Sequence, residues 1–109
     1  MKWDKRGRAQ INIGRGGNNT IIPSPGDASL IEIDHINFIL IGAENTIILK
    51  DGTSVIADYP MPVNSSFTFD NVNPSLNPLA LSVGSSFSIA ITGVSSSVKG
   101  FVLYRITDQ

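Results

Sequence analysis

The sequence contains no cysteine, a single histidine and only 7% aromatic residues, and just 16% of its side chains are charged. The absence of cysteine removes disulfides, thiolate zinc sites and thiol nucleophiles together. A 109-residue chain without such staples draws its stability from its own core or from neighbouring subunits. One histidine means that any Ser-His-Asp arrangement would have to use His35. Long hydrophobic runs are missing as well. The longest apolar-rich stretch, Ile36 to Ala43, is interrupted by Asn37 and is too short to cross a bilayer. The basic start leads into QINIGRGGNNT rather than an apolar segment, so no secretory signal is read and synthesis in the cytoplasm, with no membrane partner, is expected.

What is present is an uneven distribution of charge. The net charge of −1 conceals a positive segment: in residues 1–15, Lys2, Lys5, Arg6, Arg8 and Arg15 stand against Asp4 alone, a net of +4. The remainder carries three cations, Lys50, Lys99 and Arg105, against eight acids, a net of −5. A positive segment on a negative body points to an acidic partner, a second copy of the same body included.

Helical periodicity is nearly absent, because every eleven-residue window is broken by Gly, Pro or β-branched runs. Strand signals recur instead. Gln10–Gly14 alternates with Ile11 and Ile13 on one face, and Asn19–Ile22 is closed by PSPG. Leu30–Ile41 is the longest candidate; alternation places Leu30, Glu32, Asp34 and Ile36 on one side and Ile31, Ile33 and His35 on the other. Its second half, NFILIG, reads as a strand covered on both faces or bent at a bulge.

Thr46–Lys50 and Ser54–Ala57 flank Asp51-Gly52-Thr53, a strong hairpin signal, since both leading turn residues tolerate positive φ. YPMPVNSS and NVNPSLNP read as breaks. Ser66–Asp70, Ser86–Thr92 and Val98–Ile106 alternate again, with Phe67 and Phe69, then Phe87, Ile89 and Ile91, then Val98, Val102 and Tyr104 on their apolar sides. Eight or nine short strands separated by turns predict an all-β chain: a single antiparallel β-sandwich or jelly roll, the two being indistinguishable by alternation. Residues 1–18 are expected to form an extended basic arm with a glycine-rich hinge (GRGGNN), and residues 19–109 the sandwich domain.

Chemistry-bearing patterns are scarce. His35 lies in a strand candidate without a GxSxG elbow, and its neighbours Glu32 and Asp34 belong to the opposite face, so neither a triad nor a metal site is expected. GRGGNN matches neither the P-loop nor the dinucleotide pattern and precedes no helix. No cofactor is expected. The basic segment has the residues for phosphate contact, with Trp3 for base stacking, yet the acidic body and the absence of a recognisable module argue against nucleic acid. Lys2, Trp3, Lys5, Arg6, Arg8 and Arg15 are therefore read as a protein-binding set: Trp3 as an aromatic anchor, the cations steering and pairing with acids on a partner.

Residues 34–57, DHINFILIGAENTIILKDGTSVIA, and 78–104, PLALSVGSSFSIAITGVSSSVKGFVLY, resemble small β proteins of tailed bacteriophages. The shared positions are Asn45, Thr46, Lys50, Gly52 and Thr53 in a hairpin, then Pro78, Leu79, Ser82, Gly84, Val98, Gly100 and Tyr104 in a closing segment. The resemblance spans the central and C-terminal two-thirds of the chain. It implies a virion component, a capsid decoration or cement protein on the outside of the head, with the major capsid protein and further copies of itself, as a homotrimer, for partners. The alternative is a tail or fibre module recognising a host glycan or protein, with Trp3, Tyr59 and Tyr104 as candidate stacking residues. An enzyme built around His35 ranks below both.

Overall fold

A computed structural model describes residues 4–70, 79–92 and 95–108. These residues form the strands β1 (Asp4–Ile13), β2 (Gly17–Ile22), β3 (Ser29–Ile41), β4 (Asn45–Asp51) and β5 (Ser54–Met61), then β6 (Ser66–Asp70), β7 (Leu79–Ala80), β8 (Phe87–Ile91) and β9 (Ser97–Asp108). No helix occurs among them.

The pairing is nested. β1 pairs with β9, β2 with β8, β3 with β6 and β7, and β4 with β5, all antiparallel. The chain thus folds back on itself as one long ribbon that wraps into two sheets, ordered β1-β9-β3-β6 and β2-β8-β4-β5, with β7 beside β3. This is the strand order of a jelly roll, which settles the topology that alternation alone left open. The ribbon turns at Gly52, whose φ of +62° fits the Asp51-Gly52 hairpin expected from the sequence.

Both sheets contribute the core. Ile11, Ile31, Ile33, Ile36, Phe38, Leu40, Val98 and Val102 come from the first sheet, and Ile22, Ile47, Leu49, Phe87, Ile89 and Ile91 from the second. Phe38 stacks on Phe67 with ring centroids 5.0 Å apart. The central pair β3 and β9 runs unusually close at Gly100: a Cβ there would lie 1.9 Å from the carbonyl oxygen of Asn37, so only glycine fits.

Two expectations change. The structure does not show the extended arm: Asp4–Ile13 is a strand paired residue by residue with β9, from Asp4 opposite Thr107 to Ile13 opposite Val98. Its apolar positions Ile11 and Ile13 are buried, and β9 supplies ladder partners from the far end of the sequence. Gly14–Gly16 is then the crossover from β1 in one sheet to β2 in the other. The parity of β3 also changes. A bulge between Ile33 and His35 places Ile31 and Ile33, and then Ile36, Phe38 and Leu40, all in the core, so His35 points away from Ile31 and Ile33 rather than sharing their face.

Candidate functional site

The bulge brings Asp34 and His35 to the outer face of the first sheet in succession, instead of sending one of them into the core. On that face, two rows of side chains cross the strands. One row runs Arg8 (β1), Phe101 (β9), His35 (β3), Asp70 (β6). The Arg8 guanidinium carbon lies 4.8 Å from the centre of the Phe101 ring, a cation–π contact. His35 stacks on the same ring at 5.5 Å and 24°, and its Nδ1 is 3.5 Å from the Asp70 Oδ1.

The second row centres on Arg105 of β9, which is held by two acids of β3. Its Nε donates to both carboxylate oxygens of Asp34 at 3.2 and 3.1 Å, and its second guanidinium nitrogen is 3.0 Å from Glu32 Oε2 and 3.1 Å from Asp34 Oδ1. Thr107 donates its hydroxyl to Glu32 Oε1 at 3.3 Å. Arg6 stands opposite Arg105 in the ladder and is exposed. Between the rows lies Leu103, which remains 39% exposed. The result is a concave site of about 570 Å³ lined by Arg6, Gly7, Asp34, His35, Asp70, Phe101, Leu103, Tyr104 and Arg105.

This arrangement is a set of satisfied cross-strand contacts around an apolar floor. His35 is occupied by a carboxylate and an aromatic ring, both of which orient it. Among the described residues no group of three or more His, Asp or Glu side chains is placed to hold a metal ion. What the face can do chemically is bind: it offers two exposed guanidinium groups on the β1 side, an exposed carboxylate on the β6 side, and Leu103 between them.

The binding set expected from the sequence is divided by the structure. Lys2 and Trp3 lie outside the described residues. Lys5, Arg6 and Arg8 are exposed on β1, Arg6 and Arg8 on the outer face and Lys5, just before Arg6, in the opposite direction by strand alternation. Arg15, also exposed, follows the far end of the strand, roughly 30 Å along it at about 3.3 Å per residue. The proposed stacking residues do not share a surface. Tyr59, on β5, packs at 4.7 Å against Phe67, whereas Tyr104 faces inward from β9. The partners that complete the face, Phe101, Leu103 and Arg105, were legible as one side of their strand; their neighbours on β3 were not, because the bulge that aligns them leaves no mark in the alternation.

No protein-family model matches the sequence, and no curated protein does. A solved structure of the Bacillus endospore appendages, a family of disulfide-linked pili, is similar across 100% of this chain and 90% of its own, with a TM-score of 0.56 and 9% sequence identity. At that identity the likeness is one of fold.

Proposed function

We propose that this chain is a structural protein of a virus particle, a capsid decoration or cement protein that binds the outside of a phage head through protein contacts and braces it. The observation that carries the reading is the exposed basic strand β1, with Lys5, Arg6 and Arg8, at the side of a body that is otherwise acidic. Such a surface suits an acidic protein lattice and needs no reactive group. The jelly roll is a fold that recurs in viral shells. The similar protein of the endospore appendages belongs to pili, assemblies also made of repeated subunits. Those pili are disulfide-linked, whereas this chain has no cysteine and would hold its partners non-covalently, through many weak contacts repeated over the lattice.

The test is sedimentation of the protein with emptied heads of the phage that carries its gene. Saturable binding that weakens as salt shortens the Debye length below about 10 Å is expected; no co-sedimentation at any salt concentration would overturn the reading. Deleting residues 1–9 is a poor variant, because it removes half of β1 and uncovers the edge of β9. Replacing Lys5 and Arg15 with Gln keeps the strand and should reduce binding about tenfold, given two exposed pairs worth up to ~1 kcal/mol each.

The alternative, a tail or fibre module for a host glycan or protein, rests on the concave site beside Phe101. That ring is flanked by Arg8 from one neighbouring strand and His35 from the other, which leaves little of its face for a sugar. Binding to a glycan array would favour this reading over the first.

A further inference from the structure

The outer face of the first sheet is divided along its length by charge. Its β1 and β9 half presents the exposed Arg6, Arg8 and Lys99, its β6 edge presents the exposed Asp70, and the Arg105–Glu32–Asp34 cluster between them, one cation against two acids, adds net negative charge toward β3. Apolar groups lie along the middle of the face: Leu103 on β9 and Ile39 on β3, each 39% exposed, with Ile41 at 38% near the end of β3. An apolar centre flanked by charge is the anatomy of a protein interface rather than of a solvated sheet face.

We infer that this face docks a second copy of the same chain, sheet against sheet, about a two-fold axis parallel to the strands. The charge division selects that axis. Rotation about it carries the basic half of one copy over the acidic half of the other, so Arg8 meets the partner's Asp70, which lies at the same level of the ladder. A two-fold across the strands would set Arg6 and Arg8 over their own counterparts, and like charges would repel. Because the contact is isologous, each pairing occurs twice.

The available area is adequate. Four strands at about 4.8 Å spacing and about ten residues at ~3.3 Å give a patch of roughly 20 by 33 Å. That is roughly 650 Å² before side-chain relief is counted, close to the ~800 Å² per partner of a standard stable interface. Leu103 and Ile39, on the two central strands, fall near the axis, where they would pack over the partner's His35 ring and the aliphatic stem of the partner's Lys99.

This pairing goes beyond the capsid reading and divides the basic set: Arg6 and Arg8 serve the second copy, while Lys5 and Arg15 remain for an outside partner. It also replaces the three-fold copy number implied by the phage resemblance with a two-fold one.

The experiment is light scattering coupled to gel filtration on the full chain, without heads. The wild type is expected near twice 11.7 kDa. Arg8→Asp and Asp70→Arg should each weaken dimerisation at least tenfold, and the doubly exchanged Arg8→Asp/Asp70→Arg protein should regain the wild-type mass, since the exchanged charges again oppose each other. Leu103→Lys, at an exposed site, should give a folded monomer by circular dichroism. A wild-type monomer, a trimer, or a double variant that stays monomeric would overturn the inference. A monomer that still decorates heads would sink the pairing alone, and a dimer that ignores heads would sink the capsid reading alone.

Discussion

The two sheets share one core and differ on their outer faces. The face of β1-β9-β3-β6 carries long charged and aromatic side chains arranged in cross-strand rows. The face of β2-β8-β4-β5 is built from small residues at its centre. Ser88 and Ala90 alternate with the core residues of β8, yet they are 1% and 8% exposed, shielded between Thr20 and Asn18 of β2 and Lys50 and Ile48 of β4. Burial inside a sandwich constrains both sheets equally, so the difference between them lies in their outer faces. A row of matched charges is a costly way to solvate a sheet, because each long side chain loses rotamer freedom. The small-residue face shows that this fold does not require it.

Five substitutions separate the shared core from the unequal faces. The largest effect is expected in the core and should be alike on both sides: Phe38→Ala and Phe87→Ala, both from fully buried sites, should each lose about 3–5 kcal/mol in urea unfolding. A loss confined to one of the pair would break the picture of a common core. Gly100→Ala comes next, at about 3 kcal/mol, since the new methyl group must displace the Asn37 carbonyl between β3 and β9. Amide exchange of β3 should accelerate in the same variant.

Arg105→Met tests the organised face. It leaves Glu32 and Asp34 side by side without their shared cation and should cost about 1–3 kcal/mol, the range for hydrogen bonds to charged groups. Much of that loss should vanish in a Glu32→Gln/Asp34→Asn background. Additive losses would mean that the row contributes no coupling. The smallest effect is expected on the other sheet, where the exposed Asp58 of β5 can become Asn with a change within about 0.5 kcal/mol. A larger shift there would erase the contrast between the faces.

Local signals in the sequence agree with the structure where local interactions decide. The hairpin at Asp51-Gly52 is in place, and β6, β8 and β9 keep the inward residues that alternation assigned, Phe67 and Phe69, Phe87, Ile89 and Ile91, and Val98, Val102 and Tyr104. The proline-rich YPMP did not end its strand: β5 runs through Tyr59 and Pro60 to Met61, which the open side of an edge strand allows because no ladder bond is missed there. NVNPSLNP, residues 71–78, lies outside the described residues.

What was not legible depended on partners remote in sequence. Lys5, Arg6 and Arg8 carry no strand pattern of their own, and their conformation is imposed by residues 103–106. The composite face required knowing both that β9 lies between β1 and β3 and that a single bulge reverses the parity of His35. Alternation along one strand contains neither fact.

The nested ladder has a consequence for synthesis. β4 and β5 can close their hairpin as soon as both have left the ribosome, but Asp4 finds its neighbour only when Thr107 has been made. β1 is therefore among the last of these strands to be paired, and its open edge stays available to other nascent chains throughout. Three positive charges within four residues of that waiting strand, at Lys5, Arg6 and Arg8, would keep nascent copies of the strand from zipping onto one another before β9 arrives.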